Sequence, residues 1–436
     1  MTRFIRLHHF VLGSAFTLIS AGISSGCVLE LDDLDAGFDD DDGDDSTDSD
    51  DNNGDSLECL LGTQPDTVGV ERSAWSPDCE VECDVGWGHD GAQLEIAWTT
   101  HVNWPEEPRA IGLLADGRPV AAVLNQEGVF IHHFQPDNGA AIGGFPAPDI
   151  GALVDHVEID SNVIYVIHSE NDDDGIIVLS ATSLDSQHEL WRRSFPNGFA
   201  SAFARGGGKL ALALVTDPVL FEHDVVVLDL DGEPLWSQPT VSRPESIAFS
   251  PSGARLAVAG ETTTRVYAAA DGTLLDEFVH GALTIIKPEA LAFADEDRLV
   301  TVGSGSQDVL SDYRSDGWLA GDSLAGGNPW EQVYNRAISW CPQPADDDSS
   351  TGERFDAVAR LADGSLMAVG SEGPDIGGSS WVVRLSADGA FLGNDRGLWN
   401  GAALDVVAGP DGSAFVLIND ITDGGLSGFR LRKYVL

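Results

Sequence analysis

Short apolar stretches separated by turn residues recur along most of this 436-residue chain, at intervals of about 40 to 47 residues. In the clearest copy, residues 246–278, alternating apolar and polar residues predict four strands with tight turns between them. Strands joined by tight turns pair in antiparallel fashion, so each copy is predicted to be a four-stranded antiparallel sheet. A repeat of this length indicates stacked sheets that share one architecture rather than independent domains.

Seven segments follow this pattern. They are residues 110–139, 157–194, 200–239, 246–278, 288–324, 355–395 and 403–436. Turns with Asp-Gly or Asp-Asn-Gly are predicted between the third and fourth strands, at Asp137, Asp231, Asp271, Asp316 and Asp388. The long step between the last two turns predicts an insertion, which we place at residues 325–352.

The last segment ends after three strands, and residues 94–99 have the pattern of a fourth strand with no sheet of its own. A ring of sheets must join its ends or leave an open edge, so this strand is predicted to complete the C-terminal sheet. The fold class is therefore all-β, a seven-bladed β-propeller over residues 94–436, closed by an N-terminal strand. Six or eight blades are the alternative counts.

Two sequences resemble known propeller families. The sequence FSPSGARLAVAG, residues 249–260, resembles the repeats of bacterial YVTN and WD40-like propellers, although the Gly-His and Trp-Asp pairs of WD40 repeats are missing. The sequence VVLDLDGEPLW, residues 226–236, resembles quinoprotein-type propellers, whose Trp docking motif matches the spacing of Gly232 and Trp236. The resemblance implies the fold and no single function, because propellers serve as enzymes, scaffolds and binding modules.

The N-terminus has the pattern of an export signal, residues 1–26. Arg3 and Arg6 precede an apolar run at residues 10–23, which is too short to span a bilayer as a stable helix. The small residues before Cys27 resemble the lipobox of bacterial lipoproteins, which implies that Cys27 is lipidated; ordinary signal-peptide cleavage is the alternative. Val28 rather than Asp follows the Cys, which in that family implies delivery to the outer membrane, facing the periplasm or the cell surface.

Residues 27–56 are predicted to be a disordered tether, because residues 30–55 contain 14 acidic residues and no basic one. The Asp-rich run at residues 39–44 loosely resembles calcium repeats, which is a second reading of the same segment. A cap segment with three cysteines follows at residues 57–93. The four cysteines after Cys27 suit two disulfides in an exported protein, and Cys341 is expected to bond the cap; they are Cys59, Cys79, Cys83 and Cys341.

The charge excludes one class of partner. The chain has 72 Asp and Glu against 23 Lys and Arg, a net charge of −49, so it would repel nucleic acid rather than bind it. The motifs of zinc proteases, serine hydrolases, phosphate loops and dinucleotide sites are absent from the sequence. His132 and His133 are consecutive in a predicted strand and point to opposite faces, so they are interpreted as structural; His223, beside Glu222 and Asp224, is the better candidate ligand.

The turns between second and third strands form what we call the acidic face: residues 125–128, 169–175, 215–224, 260–264, 303–311, 370–380 and 419–427. They contain 14 acidic residues and no Lys or Arg. The acids are Glu127, Glu170, Asp172, Asp173, Asp174, Asp217, Glu222, Asp224, Glu261, Asp308, Glu372, Asp375, Asp420 and Asp423. The turns predicted on the opposite face carry Arg118, Arg205, Lys209, Arg255 and Arg298.

Converging carboxylates favour a bound cation or a basic partner, because a counter-charge relieves their repulsion. The candidate cation-binding residues are Asp172, Asp173, Asp174, Glu222, Asp224, Asp420 and Asp423, with calcium as the possible ion. The sequence therefore predicts a lipid-anchored binding or scaffold module with an envelope or extracellular protein partner. A quinone-cofactor dehydrogenase and a structural role in envelope assembly are the alternatives. A soluble acidic surface without a ligand also accounts for the charge.

Overall fold

The computed structural model describes the chain from Ala92 onward, with gaps. The described residues are 92–102, 107–125, 128–147, 154–169, 176–195, 199–217, 222–240, 243–261, 263–280, 285–306, 316–326, 329–334, 352–373, 379–422 and 425–436. The predicted signal peptide, the lipidation of Cys27, the tether, the cap up to residue 91 and all five cysteines lie outside these residues, so they stay predictions.

The described residues form 29 strands. The first eighteen are β1 Ala92–Gln93, β2 Glu95–Val102, β3 Glu107–Leu113, β4 Pro119–Asn125, β5 Gly128–Phe134, β6 Ala141–Pro146, β7 Val154–Asp160, β8 Val163–Ser169, β9 Ile177–Ser183, β10 Glu189–Phe195, β11 Phe199–Gly206, β12 Lys209–Asp217, β13 Glu222–Asp229, β14 Pro234–Thr240, β15 Pro244–Phe249, β16 Arg255–Gly260, β17 Thr263–Ala268 and β18 Leu274–Val279. The others are β19 Ile285–Phe293, β20 Arg298–Ser306, β21 Asp316–Ser323, β22 Trp330–Tyr334, β23 Gly352–Arg360, β24 Leu366–Gly373, β25 Ser379–Leu385, β26 Phe391–Asn400, β27 Ala403–Ala408, β28 Ala414–Thr422 and β29 Gly425–Val435.

The strands form seven sheets, which are the blades of a β-propeller. Blades 1 to 6 are consecutive groups of four antiparallel strands, from β3–β6 to β23–β26, and the first strand of each is innermost. The part of the chain that the structure describes contains no helix. The prediction of an all-β, seven-bladed propeller is thus confirmed.

Blade 7 closes the ring as the sequence predicts. Its strand order is β2-β29-β28-β27, so the N-terminal strand β2 is the outermost strand of the C-terminal sheet. The pairing of β2 with β29 is antiparallel and runs from Glu95 opposite Val435 to Val102 opposite Phe429. The short strand β1 just before it pairs in parallel with β26 at the outer edge of blade 6.

Tryptophans on outer strands join neighbouring blades. Trp191 of blade 2 donates its indole N–H to the Leu230 carbonyl of blade 3, at 2.7 Å, and its ring lies against Gly232. Trp236 of blade 3 repeats the contact on blade 4, with its N–H 3.0 Å from the Ala269 carbonyl and its ring against Gly272. The Trp and Gly of the resemblance motif therefore belong to two successive contacts rather than to one.

The closing strand carries the same contact. Trp98 of β2 donates its indole N–H to the Pro136 carbonyl of blade 1, at 3.1 Å, and its ring lies against Gly139. Trp330 of blade 5 lies against Gly389 of blade 6 in the same way. The receiving glycines have positive φ angles between 71° and 85° and adopt them without strain, because they have no Cβ. Blades 7 and 1 are thus joined by the same Trp–Gly contact that joins blade 2 to 3, blade 3 to 4 and blade 5 to 6.

The core lies between the blades. In β4 of blade 1, Val120, Ala121, Ala122 and Val123 are all fully buried, since both faces of a blade pack on neighbouring blades. Outer strands instead alternate between exposed and half-buried residues, as in β14. Such burial on both faces explains why the inner strands have nearly continuous apolar sequences.

Two details differ from the sequence reading. Asp316 was predicted to form a turn between third and fourth strands, but it begins β21, the third strand of blade 5. The reading was wrong because an Asp-Gly pair is also compatible with a strand end. Trp330–Tyr334, which lies inside the segment expected as an insertion, forms the outer strand β22 of blade 5. The turn at Asp388 falls between β25 and β26, as predicted.

Candidate functional site

The seven segments of the acidic face all connect second to third strands. Each falls between the right pair, from β4 and β5 in blade 1 to β28 and β29 in blade 7. These turns therefore lie on one face of the ring, the face that also holds the connections between blades. Many of their residues, including Asp172, Asp173, Asp174 and Asp423, lie outside the described residues.

The described candidates do not form one cluster. Glu222 and Asp224 lie two residues apart on β13 of blade 3, with Glu222 opposite Asp217 in the pairing. Asp420 lies on blade 7, where it accepts a hydrogen bond from Arg430 at 2.5 Å and lies 3.6 Å from the imidazole of His101. Blades 3 and 7 are not neighbours, so these carboxylates cannot share one ion. Within the described residues, no group of three or more His, Cys, Asp or Glu side chains is placed to hold a metal ion.

The histidines have packing roles. His132 lies against the rings of Phe130, 4.8 Å between centroids, and Phe429, 5.5 Å. His133 points to the other face of its strand, against Phe145. His223 is buried, and burial together with the nearby charge of Arg243 lowers its pKa, which keeps it neutral. Among the described residues, His223 is therefore not part of a group of side chains that could hold a metal ion.

Four basic residues on the opposite face are paired with carboxylates of the same turn or of a neighbouring blade. Arg118 lies 2.6 Å from Asp116, Arg205 lies 2.6 Å from Asp160, and Arg298 lies 2.7 Å from Asp295. Arg255 lies 2.8 Å from Asp297. The positive charges that the sequence places there are therefore largely compensated by neighbouring carboxylates.

A ring of bulges lines the entrance of the central channel on the acidic-face side. In every blade the pairing of the innermost strand with the second strand skips one residue, four or five positions before the innermost strand ends. A β-bulge changes the direction in which a side chain points, and bulges are frequent at sheet edges and near functional sites. The skipped residues are Arg109, Asp155, Ser201, Glu245, Glu289, Asp356 and Leu404.

Four of these bulge residues pair with an opposite charge two residues earlier in the chain, on the same strand or, for Arg243, just before it. Residues two apart on a strand lie on the same face, which brings their charges together. The Arg109–Glu107 distance is 3.0 Å, Arg243–Glu245 is 3.2 Å and Arg354–Asp356 is 2.9 Å; Lys287 pairs with Glu289. The channel entrance is thus lined by locally neutral ion pairs.

Burial raises the pKa of two acids among these bulge residues. Burial raises the pKa of Asp356 to about 6. The positive charge of Arg354 lowers this pKa in part, and the negative charge of Glu289 raises it. Burial also raises the pKa of Glu245, which Arg243 and Lys287 oppose. The sequence analysis missed this ring, although an alignment of the seven repeats would place a charged residue at the same position of five of them.

A cavity of about 450 Å³ occupies the half of the channel nearer the opposite face. Its lining comes from the second halves of all seven innermost strands and from Pro251 in a blade 4 turn. Four charged residues line it: Glu158, Arg205, Arg360 and Asp405. Three phenylalanines, Phe203, Phe249 and Phe293, line it as well. Such a volume is within the range of small-molecule sites in proteins.

Two carboxyl groups lie in this cavity. The two carboxylate oxygens of Asp405 accept hydrogen bonds from the backbone N–H groups of Ile111 and Val406, both at 2.8 Å. Burial raises the pKa of Asp405 to about 6 against those hydrogen bonds. Burial and, next, the negative charge of Asp405 raise the pKa of Glu158 to about 8, while Arg205 opposes the shift. Of the two carboxyl groups, Glu158 therefore has the higher pKa and Asp405 the lower.

No protein-family profile matches the sequence, and no curated protein is significantly similar to it. Among the described residues, none belongs to a helix with the length and apolarity needed to cross a membrane.

Proposed function

We propose that this protein is an exported, lipid-anchored binding module that presents its acidic face to a basic protein partner in the envelope or outside the cell. The observation that carries the proposal is the convergence of all seven acidic segments on the face of the second-to-third turns. Summed charge of one sign over a face attracts and orients a partner of the other sign.

The remaining described charges do not cancel this face. At the channel entrance, the basic residues Arg109, Arg243, Lys287 and Arg354 are each paired with an acid two residues away in the chain. The arginines of the opposite face are paired too, as with Arg118 and Asp116. Of the acids on the acidic face, Asp420 is compensated, by Arg430. The net charge of −49 makes a basic partner the electrostatically favoured one.

The closing strand begins on the opposite face. Trp98, near the start of β2, contacts Pro136 in the third-to-fourth turn of blade 1, and Lys433 opposite it pairs with Asp411 at 2.8 Å. The strand therefore runs from the opposite face toward the acidic face, where its last residue, Val102, pairs with Phe429.

Calorimetry on the full chain tests the proposal, with Cys27→Ser so that the protein is handled without a lipid. We expect heat with a lysine-rich peptide, decreasing with salt, and none with a glutamate-rich peptide. The triple change Asp172→Asn, Asp173→Asn and Asp174→Asn should weaken peptide binding several-fold. The matched control removes three exposed charges from the opposite face, Asp137→Asn, Asp231→Asn and Glu233→Gln, and should leave binding unchanged.

Equal losses in both triple variants, or no heat with the peptide, would contradict a specific acidic face. Heat with calcium chloride that disappears in the Asp172, Asp173 and Asp174 variant would replace the basic partner by a metal ion. The lipid anchor is tested separately, by mass spectrometry of the peptide that begins at Cys27, with Cys27→Ser as control. An unmodified Cys27 would contradict the anchor.

The quinone-cofactor enzyme has less support. The resemblance to quinoproteins rests on Gly232 and Trp236, and in the structure these residues join blades 2, 3 and 4 rather than line the channel. Calcium, which such a cofactor needs, takes six to eight oxygen ligands. The described channel residues offer no group of three ligating side chains for it. We therefore derive no catalytic step.

A further inference from the structure

The channel cavity has one carboxyl group that the protein leaves without a hydrogen-bond donor. Asp405 is held by two backbone N–H groups, from Ile111 and Val406. Glu158, on the innermost strand of blade 2, faces the same cavity and receives no hydrogen bond from any described residue. The innermost strands are described all around the ring at this level, from β3 to β27. A half-buried carboxyl group without a protein donor has its hydrogen-bonding capacity available to a ligand in the cavity.

The two arginines of the cavity do not supply that partner. Arg205 is bound to Asp160 at 2.6 Å, and Arg360 donates its Nε hydrogen to the Ala294 carbonyl at 2.5 Å. The groups that face Glu158 are therefore the carboxyl of Asp405 and the ion pair of Arg205 with Asp160. The Nε of Arg205 is buried without a hydrogen-bond partner, but the guanidinium of Arg205 is already paired with Asp160, and Arg360 is not among the charges that act on Glu158 or Asp405. Beside these two carboxyl groups the local charge therefore favours a cation, and a divalent metal would find two carboxyl groups where it needs more ligands.

An organic cation meets these conditions. The cavity of about 450 Å³ holds the volume of roughly 15 waters, which is enough for a small amine and too small for a protein segment. Ammonium and guanidinium groups form strong charge-assisted hydrogen bonds with carboxylates. Phe203 and Phe249 line the same cavity and would cover the apolar part of such a molecule.

We propose that the channel cavity binds the ammonium or guanidinium group of a small organic cation between the carboxyl groups of Glu158 and Asp405. Asp405 is the fixed charge, since two backbone N–H groups hold it, and Glu158 is the group that gains a partner on binding. The site lies in the half of the channel away from the acidic face, so it stands independently of the proposed function. The same chemistry could come from a free amine or from a lysine side chain of a partner.

Titration calorimetry on the full chain with n-butylamine tests the site, with n-butanol as the neutral analogue. We expect butylamine to bind and butanol not to bind. Glu158→Gln should weaken butylamine binding at least tenfold, and Asp405→Asn should do so as well. Glu222→Gln, which removes a carboxylate from the acidic face, is the matched control and should change nothing. Thermal melting confirms folding of each variant, and Glu158→Gln is expected to fold because burial already favours a neutral group at this position.

Proton release distinguishes this cavity from binding at the surface. Burial raises the pKa of Glu158 above its ordinary value, and a bound cation favours the ionised form, so binding at pH 7 should release protons, measured with a pH-indicator dye in weakly buffered salt without amine buffers. Glu158→Gln should abolish the release. No binding of butylamine, or binding with no proton release and no loss in Glu158→Gln, would overturn the proposal. A loss of lysine-peptide affinity in Glu158→Gln would identify a side chain as the source of the cation, and an unchanged affinity would identify a free amine.

Discussion

The substitution Gly232→Ala adds one methyl group and tests the contact of this residue with Trp191. A Cβ at Gly232 would lie 2.9 Å from two ring carbons of Trp191, and the φ angle of this glycine is +82°. The indole cannot move away easily, because its N–H bonds the Leu230 carbonyl at 2.7 Å. Gly232→Ala therefore combines backbone strain with steric overlap on a rigid ring.

Gly364 separates these two costs. Its φ angle is +85°, and a Cβ there would meet nothing within 4 Å. An alanine in the left-handed region costs roughly 1–2 kcal/mol, which is the full expected effect of Gly364→Ala. Overpacking adds roughly 1–3 kcal/mol, so the free energy of unfolding should fall by roughly 2–5 kcal/mol in Gly232→Ala.

The assay is urea unfolding followed by circular dichroism, for both single variants and for Gly232→Ala combined with Trp191→Ala. In the Trp191→Ala background, Gly232→Ala should cost no more than Gly364→Ala does in the natural chain. Equal costs of Gly232→Ala and Gly364→Ala in the natural chain would refute the account of the interblade contact.

Three further predictions concern hydrogen bonds and buried acids. Trp236→Phe removes the N–H bond to the Ala269 carbonyl and should lower the free energy of unfolding by about 1 kcal/mol in urea unfolding, whereas Leu235→Ala, an exposed neighbour, should have little effect. Burial raises the pKa of Asp322 to about 7, so its contribution to stability is present below about pH 4 and is lost as the pH rises through 7. Asp322→Asn should therefore raise the melting temperature at pH 8 and not at pH 4; an equal change at both values would contradict the burial argument. Glu158, with a pKa raised to about 8, has the same sign, so Glu158→Gln should stabilise the empty protein above pH 8 in the same melting assay.

The fold was predictable because its information is local and repeated. Alternating strands and Asp-Gly turns occur in each unit, and a unit with three strands at the C-terminus requires a fourth from elsewhere. Trp98 gave a second signal for closure, because residues 94–99 resemble the outer strand that contains Leu235 and Trp236. In the structure it occupies the position of Trp191 and Trp236 in the interblade contact.

The channel cavity and its two carboxyl groups could not be predicted from the sequence of a single repeat. Glu158 and Asp405 are 247 positions apart in the chain. Glu158 is one of three acids in β7, and Asp405 is the one acid of the otherwise apolar β27, so neither strand by itself indicates a site. Their meeting depends on the ring placing blades 2 and 7 on either side of blade 1. The acidic turns, by contrast, are visible as local composition, which explains why the sequence pointed to the face and missed the cavity.

The pairing of β2 with β29 is the claim on which the ring depends, and cross-linking tests it directly. Glu95 and Val435 lie opposite each other, both exposed, so cysteines at these positions should have Cβ atoms about 4.5–5.5 Å apart. A short bifunctional thiol reagent should join Glu95→Cys to Val435→Cys, identified by mass spectrometry of the digest. Glu95→Cys with Leu274→Cys, on the outer strand of blade 4, should give no such product. Absence of the cross-link between positions 95 and 435 in the folded protein would contradict closure by the N-terminal strand.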